Sequence, residues 1–461
     1  MSDPATTPAA RPSPVERLLA LFTDVRPGEG PTALLMFANV FLILCAYYFV
    51  KPLREGWIAI AGVPALSKME VKAYSSFGQG LLLVPVVNAY SRLTDRQARS
   101  ALSTRVTLFC MSNLVLFWLL QPDFFLQNLP GTGITFYLWV GMFGVFVVAQ
   151  FWAYAADVYS EERGRRLIPL IAIGATAGAA AGSWMTEHLV SGEVVQSHAL
   201  LLIALLPLAA TIVLTRLVDR WGPAGTGLEV RPAPSVAVRV HGALDLVLRS
   251  RFLLAVAGIT LLTNWVNSNG ENLLFRVVQD VLEGDARQRG ITGEGKALVS
   301  FIRDGTTAFY GNFFLWVNAT ALVLQAFVAS RLLKYGGFGV LLLLMPVVAL
   351  CSYATMFMFP LLGVIKFMKV AENSTDYSIN NTARHVLWLP TTTEMKYKGK
   401  PTIDSLFARV GDGLAAATAL VGVHLLSAST QAYFAVNVAL VVVWLALAAV
   451  VIRGHGRIST P

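Results

Sequence analysis

Charge is scarce in this sequence. Only 14% of its 461 residues are Asp, Glu, Lys or Arg, where a soluble chain carries about 25%. Hydrophobic residues make up 55%, and the mean hydropathy is +0.61. This excludes a pair of ordinary soluble domains and leaves a multi-pass membrane protein. Cysteine is scarce too. Cys45, Cys110 and Cys351 all lie in apolar runs, so no disulfide framework is expected. No Cys/His cluster has metal-ligand spacing, and there is no Gly-rich loop closing on Lys-Ser/Thr, no zinc motif and no nucleophile elbow. No enzymatic activity, cofactor or metal is therefore expected. A cleavable signal peptide is also missing. The first apolar run, 32–50, is too long for a signal h-region, and no small-residue cleavage site follows it.

Apolar windows predict twelve spans, near residues 32–51, 73–91, 104–121, 133–156, 167–189, 198–216, 252–275, 305–330, 338–358, 361–389, 402–427 and 430–452. Positive residues favour the cytoplasmic side. With the N-terminus inside, the outer loops after the third, fifth, ninth and eleventh spans hold no Lys or Arg. Both termini are thus expected to be cytoplasmic, in the plasma (inner) membrane. Two expected outer segments, 52–72 and 276–304, are charged, and the second is expected to be a structured, solvated loop. The net charge of +9 follows from this sidedness, so no nucleic-acid partner is expected. The expected partners are a small-molecule substrate and the lipid bilayer, and the expected state is a monomer.

The Pro-, Gly- and Arg-rich loop 217–251 divides the chain into six plus six spans. The predicted layout is an N-terminal arm 1–31, one half over 32–216, the linker 217–251, a second half over 252–452 and a tail 453–461. Two such halves are the plan of many secondary transporters. In the fifth span Gly174, Gly178 and Gly182 recur every four residues, a pattern that lets helices approach closely.

The most informative feature is a polar stripe inside the tenth span. Lys366, Lys369, Glu372, Asp376, Asn380 and Arg384 follow one another at spacings of three, three, four, four and four. That spacing sets all six on one helix face. A charge at the bilayer centre costs about 2.5–3.5 kcal/mol on insertion scales, so the stripe must face protein or a water-filled path. An internal salt-bridge ladder is the alternative use. In the first span Lys51 and Arg54 flank Pro52, with Glu55 next. Proline is expected to break or kink the helix there. Lys51 and Arg54 then offer an anion site, or snorkel to the surface. In the seventh span Asn264, Asn267 and Glu271 share a face, near Asn269, Asn272 and Gly270. They are expected to bind solute, to serve broken backbone near Gly270, or to bridge helices.

Two resemblances follow. The loop Ser91-Arg92-Leu93-Thr94-Asp95-Arg96-Gln97-Ala98-Arg99 resembles the major facilitator loop signature, with Ser91 in place of its glycine. The resemblance implies a gating role for Asp95, Arg96 and Arg99. The run from Asp376 to Asp404 holds Tyr377-Ser378, Leu389-Pro390, Lys396-Tyr397-Lys398-Gly399-Lys400 and Ile403-Asp404. It resembles the nucleotide transporter family, the ATP/ADP translocases of plastids and intracellular bacteria. Lys51, Arg54, Glu55, Arg26-Pro27-Gly28-Glu29 and Glu271 match the same family. The resemblance implies an all-α, twelve-helix, major-facilitator-like exchanger. Lys51, Arg54, Lys366, Lys369 and Arg384 would bind the substrate's anionic groups. Glu55, Glu271, Glu372 and Asp376 would pair with them in the empty state, beside Asn267 and Asn380.

Departures temper the substrate. Arg54 replaces a family lysine, the stretch near Gly141 lacks a family acid, and Gly411-Asp412 replaces Gly-Lys. Six candidate cations (Lys51, Arg54, Lys366, Lys369, Arg384, Arg409) face five acids (Glu55, Glu271, Glu372, Asp376, Asp412), whereas ATP calls for a clear cationic excess. The expected function is exchange of nucleotides or a related anionic metabolite. The alternatives are proton-coupled transport of another solute and a non-transporting membrane sensor or scaffold.

Overall fold

A computed structural model describes residues 25–26, 28–94, 99–121, 131–221, 240–291 and 295–459. Among these residues every regular element is helical. The first group comprises α1 (Gly30–Ala59), α2 (Lys68–Thr94), α3 (Arg99–Leu119), α4 (Thr132–Val158), α5 (Glu161–Ser191) and α6 (Leu205–Trp221). After residues 222–239 come α7 (Val240–Arg249), α8 (Arg251–Gln288), α9 (Lys296–Val323), α10 (Ser330–Met358), α11 (Leu362–Thr375), α12 (Asn381–Leu387), α13 (Ala408–Leu420) and α14 (Thr430–Ser459). Residues Asp376–Asn380 join α11 to α12 as one turn of π-helix, and a similar turn, Ile403–Phe407, leads into α13.

Eight helical stretches among the described residues are long and apolar enough to cross a membrane. One is the 63-residue run Lys296–Met358, which breaks at Gly337. There φ is 69°, a backbone that only glycine adopts without strain. α7 and α8 pass the same test together, bent by 103°. Ser250 lies at that corner and caps α8, its Oγ accepting from the Leu253 amide at 3.3 Å. With α2 and the α11–α12 rod, which hold ionisable groups in their interiors, the set is consistent with twelve spans.

The glycine stripe explains the tightest seam. A Cβ at Gly174, Gly178 or Gly182 would collide with the main chain of Phe37, Phe41 or Cys45, so α5 lies almost backbone to backbone on α1. α9 crosses both in the same way, with Gly56 against Arg303 and Gly311 against Glu187. The first half of the chain therefore meets the second through α5 and α1 against α9, and through α2, whose Phe77 and Gly80 pack on Gly413 and Arg409 of α13.

Pro52 does not break α1, contrary to the sequence expectation. The proline removes the donor that would bond to the Tyr48 carbonyl. The hydroxyl of Thr186 on α5 donates to that carbonyl instead, at 3.1 Å, so the helix continues at little cost. α8 is likewise unbroken at Gly270. The expected loop over 276–304 is mostly helix, because α8 runs on to Gln288 and α9 begins at Lys296. Long amphipathic ends carry the charges that the hydropathy window read as loop.

Contacts between the two groups of helices gather toward the end of the bundle that carries the loops after α1, α5 and α8. Lys68 pairs with Glu283 at 2.8 Å, and His424 Nε2 lies 2.8 Å from Glu70. Ser197 Oγ donates to Asp304. At the opposite end Glu29 receives both terminal nitrogens of Arg166, at 3.0 and 2.9 Å, with Arg163 at 3.4 Å. Burial alone would raise the Glu29 carboxyl. Arg166, the Arg26 amide and Arg163 hold it below the usual carboxylate value.

Candidate functional site

The stripe lies where α11 meets α8, α9 and α10. Lys369 has no exposed surface, and its ammonium donates to Glu372 at 2.8 Å and to Asn267 at 3.3 Å. Glu271 lies 3.7 Å from the same nitrogen. The outer oxygen of Glu372 accepts from the Tyr353 hydroxyl at 3.0 Å, and Glu271 accepts from the Asn373 amide at 2.7 Å. A Cβ at Gly270 would strike the Tyr353 hydroxyl and crowd Lys369 Nζ. Gly270 thus admits the lysine to α8. A cation buried this fully must be paired and bonded, and here three oxygens surround it.

One turn away, Lys366 donates to Asn312 of α9, and Asn312 donates to Glu187 of α5 at 2.5 Å. This chain of contacts joins the stripe to the other half. Asp376 opens the π turn and accepts from Asn380 at 2.6 Å, rather than pairing with a cation. Spacings of four drift around an α-helix, and the wider π turn takes up that drift. Arg384, half-buried on α12, makes no ion pair or hydrogen bond among the described residues.

On α1 the three candidates separate in role. Glu55, only 2% exposed, lies between Arg54 Nε at 3.0 Å and Lys72 Nζ at 2.9 Å. Arg54 also covers the ring of Tyr137 on α4, 4.6 Å from its centroid. Lys51 makes no ion pair among the described residues. Its ammonium lies 4.0 Å from the Phe314 ring centroid, 4.9 Å from Tyr48, 5.9 Å from Tyr47 and 6.0 Å from Tyr377. Such an aromatic enclosure stabilises a desolvated cation by about 2 kcal/mol per good ring contact.

Sequence reasoning missed Lys72 and Glu187. Lys72 is 3% exposed and reaches from α2 to the Glu271 carbonyl at 3.4 Å and the Tyr310 hydroxyl at 3.3 Å. The hydropathy window placed it in an outer loop. Only its helical spacing from Tyr74, Ser75 and Ser76 could have signalled otherwise. With these two, and with Arg409 and Asp412 paired to each other elsewhere, six cations face five carboxylates around the site.

Other motif residues lie elsewhere. Lys396, Lys398 and Lys400 make local contacts, with the Leu389 carbonyl, Glu394 and Asp404. Gly399 between them packs on Leu246 of α7 and Leu253 of α8. Asp412 accepts from Arg409 and Ser268, both at 2.8 Å. Asp95 and Arg96 lie outside the described residues, as does the side chain of Arg99.

Solved structures similar to nearly the whole chain share one architecture. The human organic anion transporter MFSD10 (TETRAN) matches with a TM-score of 0.57 at 15% identity, covering 92% of this chain and 100% of its own. The nucleoside transporter NupG gives 0.60 at 12% identity, covering 91% and 99%. The POT family transporter PepTSo gives 0.60 at 11%, covering 93% and 98%. At such identities the likeness establishes the fold alone, a major-facilitator-like arrangement of helices. No curated protein matches the sequence. The chain is a multi-pass helical membrane protein with the fold those structures share. More narrowly, residues 350–454 match the family described as TLC ATP/ADP transporter.

Proposed function

We propose that this transporter exchanges nucleotides, or a related anionic metabolite, by alternating access between its two halves. The observation that carries the reading is the overlap of the TLC match, 350–454, with the buried Lys366–Arg384 stripe. Charge-assisted hydrogen bonds from Lys51, Arg54, Lys366, Lys369 and Arg384 would hold the substrate's anionic groups. Glu55, Glu271 and Glu372 already pair with these cations, so substrate and internal acids compete for the same partners. Competition of that kind couples occupancy to conformation. The contacts Lys68–Glu283 and His424–Glu70 would belong to the closed outer gate, with both termini cytoplasmic, in the plasma membrane, as a monomer. A second reading, proton-coupled transport of another solute, is favoured by Glu271, which stays 23% exposed at 3.7 Å from Lys369.

The test is uptake of labelled nucleotide into proteoliposomes preloaded with unlabelled nucleotide, beside empty vesicles. Uptake that depends on the internal load supports exchange. Equal uptake in empty vesicles, driven by a pH gradient, would establish the second reading instead.

A further inference from the structure

Most of the site's cations are already spoken for. Arg54 and Lys72 share Glu55, Lys369 is held by Glu372 and Glu271, and Lys366 is bridged by Asn312 to Glu187. Lys51 and Arg384 remain without an ion pair among the described residues. Asp376, bonded to Asn380 alone, offsets one of them. The site as a whole, at six cations against five carboxylates, holds a single positive charge in excess.

A nucleoside monophosphate carries about −2 at pH 7, and each further phosphate adds charge. Freeing more cations for a longer phosphate chain means stranding buried carboxylates such as Glu55 and Glu372, and a buried charge without its partner is strongly unfavourable. Lys51 also has what a base and a single phosphate need together. Its ammonium has no carboxylate partner among the described residues and donates to the Tyr48 hydroxyl at 3.5 Å, and the Tyr47 and Tyr377 rings stand 5.9 and 6.0 Å away. Tyr377 is 40% exposed although it stands inside the bundle beside Lys51, which leaves its ring open for stacking.

Resting on the nucleotide reading above, we infer that the preferred substrate is a nucleoside monophosphate, with its phosphate on Lys51 and its base against Tyr47 and Tyr377. The longer phosphates are disfavoured by the internal carboxylates that hold the other cations. Glu187 is one of these, acting on the substrate only through Asn312 and Lys366.

The experiment is exchange in proteoliposomes preloaded with AMP, ADP or ATP, each set offered its own labelled nucleotide, with external AMP, ADP and ATP as competitors. The protein's fold is checked by its circular dichroism and its elution as a single species. AMP is expected to compete about tenfold better than ADP, and ATP least well. The Glu187→Gln variant, which removes one internal acid, shifts the preference toward ADP, and Lys51→Met abolishes AMP exchange. ADP or ATP competing better than AMP would overturn the monophosphate assignment and leave nucleotide exchange standing. If folded protein exchanges none of the three, both fall. A Glu187→Gln variant that exchanges AMP with an unchanged AMP:ADP ratio would overturn the charge argument.

Discussion

The ammonium of Lys72 stands 2.9 Å from Glu55 on its own half and 3.4 Å from the Glu271 carbonyl on the other. Both Lys72 and Glu55 are almost wholly removed from solvent. Replacing Lys72 with Met leaves Glu55 with Arg54 alone, a loss of about 3 kcal/mol if the carboxylate stays charged. The double variant Lys72→Met, Glu55→Gln also takes the carboxylate from buried Arg54, so it should melt below the single variant. Thermal unfolding in detergent measures both. A single variant as stable as the parent would show that the clasp holds nothing.

Lys366→Ala removes the link from the stripe to Asn312 and Glu187. Under the exchange reading it slows nucleotide counterflow about tenfold or more, with the protein reaching the membrane at parental levels. Parental exchange rates in that variant would remove Lys366 from the solute path.

The α1–α5 seam predicts a contrast between two glycines. A side chain at Gly178 would run into the Phe41 main chain, whereas nothing lies within 4 Å of a Cβ at Gly363. Gly178→Val should force the helices apart and cost more than about 3 kcal/mol. Gly363→Ala should be neutral or gain up to about 1 kcal/mol of helix propensity. Melting temperatures for the pair decide the matter.

Glu29 supplies a pH dependence with a defined sign. Its native carboxyl lies below the usual value because Arg166, the Arg26 amide and Arg163 outweigh its burial. A depressed carboxylate stabilises the fold fully above its unfolded value and loses that contribution as pH falls through the native one. The gap in melting temperature between the parent and Glu29→Gln should therefore be widest near neutrality and narrow in acid. A gap that stays constant as the pH falls from neutrality to well below the ordinary carboxylate value would contradict it.

Much of this architecture was legible from apolar length and spacing. The glycines every four residues in α5 marked a close helix packing, though not its partner α1, and the three-and-four spacing from Lys366 marked the stripe. What escaped were features settled by partners distant in sequence. Pro52 reads as a helix breaker until Thr186 is known to supply the missing donor. Lys72 reads as a loop residue until Glu55, Tyr310 and Glu271 surround it. The motif at Lys396–Lys400, the clearest local signal, belongs to the junction with α7 and α8. The carboxylate at Glu187 carries no signal of its own, because one acid near the end of a span is ordinary.

The bond from Thr186 to the Tyr48 carbonyl, with the three glycines beneath it, welds α1 to α5 along most of their length. Lys51, Arg54 and Glu55 on one helix and Glu187 on the other then travel as a single plate. Motion that opens the path cannot slide α1 alone. In the alternating-access reading proposed above, it would carry that whole plate away from Phe314, Asn312 and Lys366 in one stroke, and a grip on both sides of an anion would loosen together.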